Sequence, residues 1–244
     1  MMQNLPRHAG TLLMRIRENA PRVHCLTNAV VKELTADGLT AIGAIPSMTE
    51  NADEMPDFMD VSKALLVNLG TLDPARTEAI KTAVSLMAAA QKPFIIDPVK
   101  VEISESRLAL AHTLCAQRPA AIRGNAAEIA ALAPSAPSAA LVTTGADDTI
   151  RWGGKSITVH NGDPLMGYVT GTGCLSGGVI AAFLTVEEDR MIAAACAMLV
   201  MGVAAEIARP QARGPGTFRA ALLDALYSLD TETLIQHGRI SQNG

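Results

Sequence analysis

Residues 169–178, Val-Thr-Gly-Thr-Gly-Cys-Leu-Ser-Gly-Gly, have the types and spacing of a phosphate-handling loop. Glycines and small hydroxyl residues sit just ahead of an apolar run, 179–184, the pattern of a loop opening a helix. The first turn of a helix has unpaired N–H groups and a partial positive charge, so it attracts anions. Glycines such as Gly171 and Gly173 let backbone approach a phosphate closely. Cys174 falls in that turn, where a helix start lowers a thiol pKa and readies it to accept or relay a proton. The plain alternative is a helix start packed tightly on a strand. No Gly-Lys-Ser/Thr follows, so the loop is not a Walker A motif.

Two further groups have suitable chemistry. Arg123-Gly-Asn125-Ala-Ala-Glu128 puts a guanidinium at a strand end and a carboxylate in the next helical turn. The fork of donors on Arg123 suits phosphate oxygens. Asn125 and Glu128 share a helix face and can hold the water shell of Mg²⁺, or simply form a capping box. Asp97 ends the apolar strand Phe94-Ile95-Ile96 and can orient a metal or make a turn before Pro98. Thr144-Gly145 also follows a strand and can donate to a nucleotide phosphate or simply make a turn. His24 reads as a satisfied buried side chain, and Met48 as core or as the apolar wall of a small-ring pocket. No Ser/His/Asp set is legible, so hydrolase chemistry has no basis.

The elements that would position these residues alternate. Helices are expected at 11–19, 29–41 (capped by Asn28), 51–64 with a break near Pro56, 73–90, 104–116 and 126–132. Strands are expected at 22–27, 45–48, 65–68, 93–97, 120–123 and 141–144. A hairpin over 149–160 turns at Gly153-Gly154. Two apolar helices follow the glycine loop, then a last helix over 218–229. The tail from Thr231 is polar and expected to be loosely held. Such alternation implies an α/β fold with a mostly parallel sheet and helices on both faces. Ligands then bind beyond the carboxyl ends of the strands, where Thr27, Asn28, Met48, Asn68, Asp97, Arg123 and Thr144 fall.

The 244 residues suit a single domain, 1–244. The net charge is −4 and no basic stretch tracks a nucleic-acid backbone. Four cysteines lack metal spacing and read as reduced thiols of a cytoplasmic protein. No apolar signal core opens the sequence. Residues 191–208 are long and apolar but Ala-rich, with Gly202 and Glu206, and read as a buried helix, not a membrane span.

The sequence resembles the hydroxyethylthiazole kinase family of the ribokinase-like superfamily from about residue 10 to residue 229. His24-Cys-Leu-Thr-Asn-Ala-Val-Val31, Gly43-Ala-Ile-Pro-Ser-Met48, Asn68-Leu-Gly-Thr-Leu72 and Asp97-Pro-Val99 carry the likeness. So do Arg123-Gly-Asn-Ala-Ala-Glu128, Val169-Thr-Gly-Thr-Gly-Cys174 and Gly214-Pro-Gly-Thr-Phe218. Cys174 is the most telling, since most of the superfamily has Asp there. The resemblance implies a three-layer α/β/α sandwich with no lid domain. It implies transfer of the γ-phosphoryl of ATP to the hydroxyl of 4-methyl-5-(2-hydroxyethyl)thiazole, a salvage step toward thiamine.

Carried over, Met48 and Gly171 contact the thiazole and Asn28 lines its pocket. Arg123 and Thr144 bind ATP, with Thr172 and Gly173 in the turn that offsets phosphate charge. Asp97 and Glu128 serve Mg²⁺, and Cys174 sits where the alcohol proton leaves. The family is a homotrimer with each site between two subunits.

Two departures stand out. Lys100-Val-Glu-Ile-Ser104 replaces the family's Gly-x-Gly-Ala-Thr, so that loop must take another path. The connection from Ile129 to Leu141 is short. Alternative readings are another ribokinase-like enzyme, such as hydroxymethylpyrimidine kinase, or a catalytically weak thiazole- or nucleotide-binding protein.

Overall fold

The structure, a computed structural model, describes residues 4–243. Helix α1 (Leu5–Asn19) begins six residues before the expected start, because Leu5, Ala9, Leu12, Leu13 and Ile16 form one buried stripe. Strand β1 (Arg22–Leu26) leads through a 3₁₀ turn at Ala29–Val31 into α2 (Lys32–Ala41). After β2 (Ile45–Ser47), the helix expected over 51–64 is shorter and divided. Asn51 caps a 3₁₀ turn at Ala52–Glu54, and α3 (Met55–Val61) starts with Pro56 in its first turn. Proline is tolerated there because the first N–H groups lack helical acceptors.

The chain then follows its sequence pattern closely. β3 (Ala64–Asn68), α4 (Pro74–Ala89), β4 (Phe94–Asp97) and α5 (Glu105–Cys115) come first. They are followed by β5 (Ala121–Gly124), α6 (Ala126–Leu132) and β6 (Ala140–Thr143). The hairpin β7 (Asp148–Trp152) and β8 (Lys155–Val159) precedes α7 (Thr172–Phe183), α8 (Arg190–Ala208) and α9 (Pro215–Ser228). The tail is not loose. It forms α10 (Thr231–His237), packed on α1, and β9 (Ile240–Asn243), which pairs with β8.

The sheet order is β2-β1-β3-β4-β5-β6-β7-β8-β9. Pairs from β2 through β6 are parallel, and the last three pairs are antiparallel. Alternate residues of each strand feed two cores. Leu66, Ile95 and Ala121 face a layer built by α1, α2, α7, α8, α9 and α10, whereas Leu65, Val67, Ile96 and Ile122 face α3 to α6. Burial on both faces explains the unbroken apolar runs of the central strands. Helix α7 lies against β1, β3 and β4 beneath α2 and α8, and is apolar all round. Helix α8 is long and apolar enough to cross a membrane, yet most of it is buried inside the fold. The strand order reverses direction at β1, which opens a crevice at the carboxyl ends of β1 and β3.

Candidate active site

The start of α7 points at that crevice. Gly171 caps the helix at φ 101°, and a Cβ there would meet Val31 Cγ1 at 2.9 Å. Only glycine fits both constraints. The Thr172 hydroxyl donates inward to Met166 O at 2.8 Å and Val169 O at 3.2 Å. Its hydroxyl therefore ties down the loop, while the residue itself stays on the wall of the cleft described below. Gly173 has a different reason to be small: a Cβ there would lie 2.7 Å from Arg123 Nη1. The Arg123 guanidinium is thus laid over the first turn of α7.

Cys174 joins a cluster of strand-end side chains. Asn28 follows β1, Asn68 ends β3 and Asp97 ends β4. Asn68 Nδ2 donates to Asp97 Oδ2 at 2.6 Å and to Cys174 Sγ at 3.2 Å. Asn28 Nδ2 donates to Asn68 Oδ1 at 3.2 Å and approaches Cys174 Sγ at 3.8 Å. Asn28 thus reads the neighbouring side chains and makes no capping bond. Its Oδ1 is buried without a partner, which leaves one acceptor for a ligand.

Electrostatics reverses one expectation. Burial, then the Asp97 charge, pushes the Cys174 thiol up to about 12, against the pull of Arg123. Desolvation and a neighbouring carboxylate outweigh the helix start. The group is therefore a thiol, held beside the Asp97 carboxylate. Burial likewise raises Asp97, which is 1 % exposed, while Arg123 and the Asn68 hydrogen bond oppose that rise.

On the other side of Arg123 lies a cleft of about 510 Å³. Arg123, Thr144, Thr172 and Gly173 line it, with Asp148 and Met198. Thr144 Oγ1 donates to Gly124 O at 3.3 Å. Arg123 Nε is buried with no partner. A cation with an unmet donor beside a helix start is a fitting receptor for phosphate. Asp148 was not foreseen; burial pushes it up to about 6, against Gly145 N–H and Arg123.

Glu128 completes both capping and bracing. Asn125 Oδ1 accepts from Ala127 N and Glu128 N, and Glu128 Oε2 accepts from Asn125 N at 2.8 Å. The capping box is therefore real. Glu128 Oε1 accepts from Lys100 N at 2.9 Å. Lys100 sits at φ 59°, a left-handed conformation that glycine takes more easily. The loop then closes in a 3₁₀ turn at Val101–Ile103 with Val101 buried.

Met48 is set apart from the cleft. It follows edge strand β2 and packs half-buried against the α7-side core. His24 is buried as expected, bonded to Ser47 Oγ and Thr49 O at 2.8 and 3.0 Å. Asn68 was legible only as a strand end, although a polar amide closing the run Ala-Leu-Leu-Val was its signal.

The hydroxyethylthiazole kinase family profile matches residues 13–139 and 133–232. The chain belongs to the hydroxyethylthiazole kinase family. It is 50% identical over 232 residues to an Agrobacterium fabrum protein named "Probable hydroxyethylthiazole kinase", covering 95% of this chain and 94% of that one. A solved hydroxyethylthiazole kinase protein from Pyrococcus horikoshii superposes with a TM-score of 0.94 at 29% identity, over 97% of this chain and 99% of that one. A ribokinase-like superfamily protein from Enterococcus faecalis has a TM-score of 0.65 at 13% identity, over 95% and 96%, and shares the fold alone. The family match fits the three-layer sandwich and the strand-end crevice described above.

Proposed function

We propose that the protein transfers the γ-phosphoryl group of ATP to the hydroxyl of 4-methyl-5-(2-hydroxyethyl)thiazole, in thiamine salvage. The observation that carries this is the meeting of an Arg-lined cleft and a thiol–amide cluster at one helix start. Phosphoryl transfer asks a protein mainly for in-line positioning and charge neutralisation. The triphosphate lies in the cleft, against Arg123, Thr144, Gly173 and the N–H groups opening α7. The alcohol lies on the far side, against Cys174, Asn28, Gly171 and Met48. Cys174 acts as a relay: its Sγ takes the alcohol proton late in transfer while its own proton passes to Asp97. The raised thiol and the Asp97 carboxylate, bridged by the Asn68 amide, support that direction.

Asp97 and Glu128 are the carboxylates that would hold the nucleotide's Mg²⁺ or its waters. Among the described residues no three metal-binding side chains form a cage. This donor set fits a Mg²⁺ held mostly by phosphate oxygens and water, with one or two carboxylates. The ion supplies charge neutralisation on the phosphoryl oxygens when bound. Glu128 orients its carboxylate through Asn125 N and Lys100 N and keeps free lone pairs for that water shell.

We also read the protein as a cytoplasmic homotrimer with sites between subunits. All four cysteines are free, and apolar Val30 stands 77% exposed two residues after Asn28. Cys174 disfavours hydroxymethylpyrimidine kinase, and the full set of phosphate-side residues disfavours a weak binding protein. Assaying ADP release with the thiazole alcohol against hydroxymethylpyrimidine tests the reading. Turnover with the thiazole alone supports it, and turnover with the pyrimidine alone refutes it.

A further inference from the structure

Arg76 stands where helix electrostatics disfavours it. It is the third residue of α4, after the cap Asp73, and a cation in a first turn opposes the helix dipole. It is also 4% exposed. Neither fact serves the stability of α4, so the explanation lies in what the guanidinium touches.

It touches backbone from two strand ends. Nη2 donates to Leu26 O at 3.1 Å and Asn68 O at 2.6 Å. Nη1 donates to Gly70 O and to Thr71 O at 3.1 Å. Leu26 ends β1, two residues before Asn28, and Asn68 ends β3. Thr71 is held at φ 52°, which a β-branched residue avoids unless its surroundings enforce it. Arg76 Nε lies 3.1 Å from Glu50 Oε1, an ion pair without hydrogen-bond geometry, and Lys32 Nζ donates to Glu50 Oε2 at 2.7 Å. Glu50 lies two residues after Met48. One buried cation and one carboxylate therefore join three separate segments: 26–32, 48–50 and 68–71.

We propose that Arg76, braced by Glu50, is a positioning residue that holds Asn28, Asn68 and the Met48 segment as one rigid wall of the alcohol subsite. This rests on the alcohol side of the site as assigned above. The planar fork matters, because a single ammonium cannot reach four carbonyls in divergent directions. The phosphate-binding residues Arg123, Thr144 and Gly173 hang from other strands and from α7, outside the carbonyls that Arg76 holds.

The test measures KM for the thiazole alcohol and for ATP separately, with kcat and the melting temperature, in wild type, Arg76→Lys and Glu50→Gln. Glu50 is partly exposed, so Glu50→Gln remains informative if Arg76→Lys fails to fold. Glu50→Gln is expected to raise KM for the alcohol about tenfold and leave KM for ATP within about twofold. Arg76→Lys is expected to show the same split with kcat lowered as well. A lower melting temperature with both KM values unchanged, or both raised together, overturns the proposal while leaving the kinase reading intact. Wild-type enzyme that turns over ATP with a different alcohol only overturns the substrate reading, and the clamp falls with it.

Discussion

Asn68 and Asp97 are partners in the β3–β4 register, and the Asn68 amide nitrogen donates to Asp97 Oδ2 at 2.6 Å just where both strands end. The same nitrogen reaches Cys174 Sγ at 3.2 Å. One side chain thereby sets the distance between the relay thiol and the carboxylate behind it. Asn68→Ala is expected to lower kcat about 10²-fold with little change in KM for ATP, the scale of a small misplacement of reacting groups. Steady-state kinetics with both substrates varied checks this. A loss confined to KM would contradict it.

Cys174→Ala removes the relay but keeps the helix start and Arg123. It is expected to slow the reaction without abolishing it, because a loose transition state releases the alcohol proton late. Cys174→Asp restores an acceptor at that place and is expected to keep or raise the rate. Single-turnover measurement with each variant reads the chemical step directly. No product from Cys174→Asp would argue against a proton-handling role.

Gly173→Ala places a methyl 2.7 Å from Arg123 Nη1. The end of a long side chain can swing aside, so the fold is expected to keep its melting temperature. ATP binding is expected to weaken about tenfold, the scale of one charge-assisted hydrogen bond. Titration calorimetry with a non-hydrolysable nucleotide checks both the size and the side of the site affected.

His24 gives a pH dependence to stability. Burial lowers its pKa to about 4, against the Thr49 carbonyl and Glu50. An unfolded imidazole titrates near ~6.5, so the unfolded chain takes the proton first. The contribution of neutral His24 is complete above about pH 6.5 and is lost as pH falls toward 4, up to about 3 kcal/mol. Urea unfolding of wild type and His24→Gln at a series of pH values should show a gap that narrows over that window. A constant gap would contradict the assignment.

Much of this was legible in the sequence because strand ends announce themselves. Asp97, Arg123 and Thr144 each close an apolar run, and the parallel alternation sends such ends to one edge. Asn125 and Glu128 were readable as a capping box from their spacing alone. The state of Cys174 was not, since a helix start argues for a thiolate, and only the packing of Asp97 and Asn68 against the sulfur reverses that. That the Thr172 hydroxyl closes the loop behind it was not legible either, since its acceptors are the carbonyls of Met166 and Val169. Arg76 gave no signal at all, because its four carbonyl partners come from segments up to 50 residues away. The closing strand β9 was hidden for a related reason: in Ile-Ser-Gln-Asn only Ile240 packs against the core, and the pairing with β8 rests mostly on backbone bonds.

A crystal structure with the thiazole alcohol and a non-hydrolysable ATP analogue bound together tests the central claim most directly. The expected result has the triphosphate against Arg123 and the first turn of α7, with the alcohol oxygen beside Cys174 and in line with the terminal phosphorus. A triphosphate bound elsewhere, or an alcohol whose oxygen points away from Cys174, would contradict it.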